Sequence, residues 1–292
     1  MLRVKANAKI NLSLDVLGTL PNGYHEVKMI MQSVDLCDEL QITPENNDSI
    51  ILTCDNDKLS CGEDNLIIRA TKALMNYVGK HNGVSIKLIK NIPMAAGLAG
   101  GSADAAATLV GINRLFDYGL NTTELKAIGA KLGADIPFCI QGGTSLAEGI
   151  GEILTPISPL TDMYILLVKP PIDVSTKYVY DNLILDNETV HPETDLMIEL
   201  LKEGRPDILA TKLCNILETV TVKRYPTIND IKNALLDDNA LGALMSGSGP
   251  TVFGLFNDES TAEAASEHIK DAFGYKDVFI CRPAEQGTVI TG

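Results

Sequence analysis

From Arg3 to Val16 the residues alternate without a break. Val4, Ala6, Ala8, Ile10, Leu12, Leu14 and Val16 are apolar, and Arg3, Lys5, Asn7, Lys9, Asn11, Ser13 and Asp15 are polar. A period of two over this length is incompatible with a helical face. It predicts a long strand with one side in a core and the other open to water or ligand. Lys9 and Asn11 then project together from the non-core side. At 292 residues the chain exceeds what one core usually serves, so two domains are expected. The balance of 24 basic against 38 acidic residues, a net charge of −14, opposes binding to nucleic acid and to anionic membranes. It also requires any phosphorylated ligand to meet a locally positive site. Six cysteines without a CxxC pair, with only four histidines, fit reduced thiols in a cytoplasmic protein better than a disulfide frame or a zinc site. Apolar runs fall far short of the roughly 20 residues that span a bilayer, and the first residues lack a signal-peptide pattern.

A turn cluster at residues 18–23 follows, with strands expected around 27–30 and 40–42. Residues 65–77 predict a helix and 84–90 a strand. Pro93 opens a small-residue loop that runs into a helix whose Ala105, Leu109, Ile112 and Phe116 share one face, with Ser102 at the expected N-cap. In a helix over 122–132, Asn121 and Glu124 have capping-box spacing, Leu120 and Leu125 form a staple, and Gly133 closes the end. Residues 155–162 read as a linker, giving domains of 1–158 and 159–292. The second half reads as strand 163–168, helical stretches to 236, strand 243–246, a GSGP turn, strand 251–256, helix 261–273 and strand 278–281. That order is similar to a split βαβ, ferredoxin-like layer with extra helices.

The loop at 93–104 carries the most chemical information. Gly97, Gly100 and Gly101 permit close approach and positive φ, and a helix begins at once. Its unsatisfied N–H groups and dipole make an anion site, most often for phosphate, and supply positive potential without basic side chains. The alternative is a tight connection that needs glycine only for shape. No GK[ST], GxGxxG, HRD or DFG signature is present. Asp104 either stabilises the first turn of its helix or meets phosphates through a cation. Lys9 alone reads as a solvated lysine, and Asp135 alone as a cap or turn residue. Beside a phosphate loop, the two together are what hydroxyl phosphorylation needs: a carboxylate for the proton and an ammonium for the charge. Tyr24 and His25 are core residues, or else a stacking plane and an imidazole for a ligand. Residues 175–180 offer hydroxyls and two further aromatics. The turn at 247–250 is a simple hairpin or a second glycine approach to a ligand.

PMAAGLAGGSADAA and SGSGPTVFGLF resemble two glycine motifs of the GHMP small-molecule kinases. AKINLSLDVLG, PNGYHEV, EDNLIIRA, GADIPF and EGIGEILTP, in that order, are similar to a branch of the family that acts on a cytidyl substrate. The resemblance runs from Ala8 to about Phe256, although residues 181–238 carry no recognised motif. It implies an α+β, two-domain fold: an N-terminal α/β domain with its phosphate loop at a helix N-terminus, a ferredoxin-like C-terminal domain, and the active site between them. It implies phosphoryl transfer from ATP, with Mg²⁺ expected, to a small cytidyl-diphosphate-linked polyol of isoprenoid synthesis. Neither nucleic acid nor membrane is an expected partner, and the protein is expected as a monomer or homodimer.

Residue by residue, the resemblance gives Lys9 and Asp135 as the catalytic pair. Asn65, Lys90, Met94, Ala95, Ala96, Gly97, Leu98, Ala99, Gly100, Gly101, Ser102, Ala103 and Asp104 match the ATP site, with Asn65 and Lys90 around adenine and ribose. Asn11, Tyr24, His25, Thr176 and Tyr180 match the substrate site; there the two tyrosines sandwich the cytosine and His25 reads its edge. Two departures stand out. Alanine occupies positions 95, 96 and 99 where glycine is common, and Ala103 replaces a frequent second serine, which removes one hydroxyl. No magnesium ligands are assigned. A homoserine- or mevalonate-type kinase would have no base for Tyr24, His25 and Tyr180 to grip. A non-catalytic nucleotide-binding regulator would have no need of both Lys9 and Asp135.

Overall fold

The alternating segment is strand β1 (Leu2–Thr19) in a computed structural model that describes residues 1–21 and 23–292. Asn22, within the turn cluster, lies outside the described residues. The chain continues through β2 (His25–Glu45), β3 (Ile50–Cys54), α1 (Leu66–Val78), β4 (Gly83–Ile89), α2 (Gly100–Leu115), α3 (Thr122–Ala130) and α4 (Ile136–Gln141). Next come β5 (Thr144–Glu148), β6 (Ile153–Pro156), β7 (Tyr164–Lys169), α5 (Thr176–Asp181), α6 (Thr194–Lys202), α7 (Pro206–Ala210) and β8 (Cys214–Asn215). The last elements are α8 (Glu218–Arg224), α9 (Thr227–Asp237), β9 (Gly242–Met245), β10 (Val252–Phe256), α10 (Glu259–Phe273), β11 (Asp277–Cys281) and β12 (Thr288–Ile290).

Two sheets organise these elements. The larger has the order β12-β1-β2-β4-β3, with β5 and β6 continuing from β2 and β8 pairing with β1. The smaller, antiparallel sheet has the order β11-β7-β10-β9, the 4-1-3-2 arrangement of a ferredoxin-like layer. The two strands expected around 27–30 and 40–42 are one continuous β2. A register shift opposite Asn7 and Lys9 absorbs the irregularity between them, so pairing with β1 continues on both sides.

The even-numbered face of β1 from Val4 to Leu12 enters a core shared with Ala103, Ala107, Leu109 and Ile112 of α2, where the alanines allow close approach of helix to sheet, and Leu14 and Val16 turn to a second core. Each fully buried leucine or isoleucine there contributes roughly 1.5–3 kcal/mol. The odd-numbered face is exposed at Arg3 and Lys5, as expected, and Lys9 and Asn11 line a cleft, but from Asn7 onward the second half of the chain covers it. Lys9, Asn11, Ser13 and Asp15 are all buried. The second half of the chain lies over them: His191 Nδ1 is 2.7 Å from Asp15 Oδ1, and Gly247 sits beside the Asn11 side chain. The second core joins Leu166, Val168, Val252 and Phe256 to the inner faces of α9 and α10, including Ile231, Leu235 and Ile269.

Local signals worked unevenly. Asn65 caps α1, and the Asn121–Glu124 capping box forms as expected. Helix α3 stops at Ala130 with Lys131 as its cap, short of Gly133. Helix α2 begins at Gly100, two residues before Ser102, because Ala99 adopts left-handed φ (57°) and turns the chain into the helix early. Ser102 therefore sits inside the first turn. None of the described helices is long and apolar enough to cross a membrane, and all six cysteines are free thiols.

Chain order and sheet membership part company at the C-terminus. β8 and β12 come from beyond residue 158 yet pair with β1, β12 through Val4–Ile290, Lys5–Val289 and Ala6–Thr288. Asn7 N–H donates to Gly287 O at 2.8 Å, and Asn7 Nδ2 donates to Gln286 O at 2.7 Å. A Cβ at Gly287 would run into the carbonyl of Cys139 at the end of α4. Gly287→Ala is therefore expected to cost about 1–3 kcal/mol through overpacking against backbone. Scanning calorimetry should show a melting temperature several degrees lower; an unchanged value would mean the tail does not clamp the sheet.

Candidate active site

A cleft of about 1280 Å³ opens where the loop at 93–99 enters α2. The loop is held in an unusual backbone shape, with positive φ at Ala95 (49°), Gly97 (75°) and Ala99 (57°). For an alanine this conformation costs on the order of 1 kcal/mol, so surrounding contacts must enforce it. They come from both halves of the chain. Lys9 N–H donates to Leu98 O (3.1 Å), Ser246 Oγ donates to Gly97 O (3.0 Å), and Thr251 N–H donates to Ala96 O (3.3 Å). Gly97 has no room for a side chain, since a Cβ there would strike the carbonyl of Ser246. The first N–H groups of α2 have no acceptor within their own helix, so the positive end of the dipole faces the cleft.

Lys9 and Asp135 meet beside this loop, Nζ to Oδ2 at 3.9 Å. The lysine is buried and also donates to Asn11 Oδ1 at 2.8 Å; Asn11 Nδ2 in turn lies 3.2 Å from Met29 Sδ. Register explains the pairing, because positions 9 and 11 share a strand face. Asp135 precedes α4 in helical conformation and makes no capping bond, so its carboxylate is left to the cleft. One turn further on, burial pushes the Cys139 thiol up, and Asp135 adds to that effect. Cys139 is packing rather than nucleophile.

At the far end of the cleft are Tyr24, His25 and Tyr180. The rings of His25 and Tyr180 lie 5.0 Å apart at 38°. Burial raises the Tyr180 phenol above its ordinary range, with the charge of Asp135 contributing. Tyr180 belongs to α5, which Ser175 caps, and Thr176 Oγ1 lies 2.9 Å from Ser248 Oγ in the turn between β9 and β10. That turn is a hairpin connection, and it also touches the loop at 93–99.

All the candidate residues line the cleft except Ala103, which lies on the inner face of α2 in the core. Two others face the cleft with their functional groups already engaged. Asn65 Oδ1 accepts from Ile67 N–H (2.8 Å) and its Nδ2 donates to Ser60 O (2.6 Å). The ammonium of Lys90 is buried between Asp38 and Asp104. Sequence reasoning missed Asp38 and Leu59, and it named the turn at 247–250 and the segment EGIGEILTP without singling out Ser248 or Ile150. Asp38 carried no motif, and the others are reached only through long-range packing. Among the described residues no three His, Cys, Asp or Glu side chains converge as a metal group.

Comparison with known proteins shows the family of the chain. The N-terminal domain model of the GHMP kinases matches residues 65–143, and the C-terminal model matches residues 197–275. The chain is 46% identical over 289 residues to the 4-diphosphocytidyl-2-C-methyl-D-erythritol kinase of Lachnoclostridium phytofermentans, covering 99% of each chain. It is 50% identical over 269 residues to the enzyme of that name from Acetivibrio thermocellus, covering 92% of this chain and 95% of the relative. A crystal structure of 4-(cytidine 5'-diphospho)-2C-methyl-D-erythritol kinase superposes with a TM-score of 0.80 at 29% identity, covering 99% of each chain. A homoserine kinase from Cytophaga hutchinsonii gives the same TM-score at 21% identity over 99% of this chain and 97% of its own, a likeness of fold alone.

Gly97→Ala tests the contact between loop and turn. The substitution places a methyl group against Ser246 O at a left-handed position, so the loop and the turn must separate. Titration calorimetry with a nucleotide is expected to show at least tenfold weaker binding in a folded variant. Native affinity would show that the two segments touch without depending on each other.

Proposed function

Because the chain belongs to the family of 4-diphosphocytidyl-2-C-methyl-D-erythritol kinases within the GHMP kinases, we propose that it phosphorylates the 2-hydroxyl of that cytidyl intermediate in the non-mevalonate isoprenoid pathway, with ATP as donor. The observation that carries this reading is the Lys9–Asp135 pair, 3.9 Å apart beside a loop held open at a helix N-terminus. The triphosphate lies along residues 94–104, with its charge on the free N–H groups of α2. Asp135 takes the proton of the acceptor hydroxyl as that oxygen bonds to the γ-phosphorus and the bond to the bridging oxygen of ADP breaks. Lys9, fixed by Asn11, supplies a positive charge at the reacting centre. Asn11 also faces the acceptor. Tyr24, His25, Thr176 and Tyr180 hold the cytidyl end, so the second substrate is gripped by residues from both halves of the chain.

The cleft contains no preformed cage of carboxylates and imidazoles among its described residues. That suits Mg²⁺, which keeps much of its water and is usually held by substrate phosphates with one or two protein oxygens. Ser102 would hold the ion with its hydroxyl, since the other side chain with oxygens in this segment, Asp104, is engaged by Lys90. When bound, the ion neutralises charge on the phosphates. Six free thiols are in keeping with a cytoplasmic enzyme.

The assignment is tested by ADP release over a panel of the cytidyl intermediate, homoserine, mevalonate and galactose. Fastest turnover on a substrate without a base would overturn it and leave the family intact. Asp135→Asn should lower kcat by about 10²–10⁴-fold with nucleotide affinity retained; near-native kcat would remove Asp135 from the chemistry. For Tyr180→Ala, loss of a stacking face worth roughly 1–3 kcal/mol should raise KM for the cytidyl substrate about 5- to 150-fold and barely move KM for ATP. Equal damage to both constants, with a large fall in melting temperature, would make Tyr180 a packing residue.

A further inference from the structure

Lys90 and Asp104, both matched to the ATP site, meet a third residue, Asp38, that neither the motif match nor the proposed chemistry uses. The Lys90 ammonium contacts Asp38 Oδ2 and lies 3.1 Å from Asp104 Oδ2, and all three side chains are at most 4% exposed. Two carboxylates and one ammonium, if all were charged, would bury an uncompensated negative charge, which is strongly unfavourable. One carboxyl therefore carries a proton, and the hydrogen bonds show which. Asp38 accepts from three donors: Asn91 N–H (2.6 Å), Ile92 N–H (2.8 Å) and Lys90. Asp104 accepts from Lys90 alone, and its Oδ1 is buried without a partner. Burial raises the Asp104 carboxyl well above the usual carboxylate range, with Lys90 opposing the rise and Asp38 adding to it.

The cluster also spans the loop. Asp38 fixes the backbone at 91 and 92, immediately before Pro93. Lys90 Nζ sits under the other end, so close to Gly100 that a Cβ there would be 2.9 Å away. We propose that Asp38 is a positioning residue of the nucleotide site: as the anion of this cluster it clamps both ends of the phosphate loop through residues 91–92 and Lys90, while Asp104 serves as a neutral acid. This rests on reading residues 93–104 as the nucleotide site.

The test uses the full chain, the non-hydrolysable analogue AMP-PNP with Mg²⁺, and difference infrared spectroscopy at pH 7. Asp38→Asn should weaken AMP-PNP at least tenfold, and at least tenfold more than Asp104→Asn does. KM for the cytidyl substrate should change less than about threefold. The carboxylic C=O band of a protonated side chain should be present in the native protein and absent in Asp104→Asn. It should also be absent in Asp38→Asn, where Asp104 becomes the counter-ion of Lys90. If Asp38→Asn does not fold, Asp38→Asn combined with Lys90→Gln removes both charges together. That variant should keep the band and still bind AMP-PNP weakly. Native AMP-PNP affinity in a folded Asp38 variant, with only a lower melting temperature, would reduce Asp38 to packing and overturn the proposal. So would the absence of an Asp104 band, or a larger loss in Asp104→Asn than in Asp38→Asn. Failure of the native protein to bind AMP-PNP would instead refute the nucleotide reading, and the infrared bands would still decide the charge arrangement.

Discussion

A chain with a net charge of −14 can offer a polyanion a place only where positive potential is gathered locally. Here the source is the exposed start of α2, where peptide dipoles sum and backbone N–H groups lack acceptors. The rest of the structure serves that requirement. The loop must keep left-handed turns at Ala95, Gly97 and Ala99 so that the N–H groups face outward. Alanine in such a conformation is strained, which explains why so many contacts converge on the loop: β1 at Leu98, the second sheet's hairpin at Ala96 and Gly97, and the segment 90–92 at its root.

Because those contacts come from both halves of the chain, the two sheets are not independent modules joined by a tether. Ser246 holds the loop from one side of the hairpin, and Ser248 meets Thr176 of α5 from the other. A single turn thereby connects the loop at 93–99 to α5, whose Tyr180 packs with His25. Register does the same work within β1: positions 9 and 11 share a face, so a lysine facing Asp135 brings its own supporting amide.

Much of this was legible in the sequence wherever the signal was local. The period of two identified β1, the small-residue run identified the loop, and helix spacing identified α2. The segments AKINLSLDVLG, PNGYHEV and GADIPF supplied Lys9, Asn11, Tyr24, His25 and Asp135 as candidates through the family resemblance. What was not legible depends on partners distant along the chain. Asp38 lies 52 residues from Lys90, and nothing in its neighbours along the chain marks it as different from any other aspartate. From Asn7 onward the odd face of β1 is covered, at Asp15 by His191 and at Asn11 by Gly247, so a pattern that reads as half-exposed describes an inner strand there. Ser102 was a sound cap by composition, yet a left-handed alanine began the helix before it. In each case tertiary contact overrode a correct local preference.

The return of β12 to β1 joins residues 288–290 to residues 4–6. On a ribosome adding about 5–20 residues per second, the first strand waits many seconds for its last neighbour. Until then one edge of the larger sheet shows unpaired N–H and C=O groups to any other extended chain nearby. The polar odd-numbered side chains of β1 acquire a second meaning in that interval. Buried at the end from Asn7 to Asp15, they keep the waiting strand wetted and less sticky while the chain that will cover it is still being made.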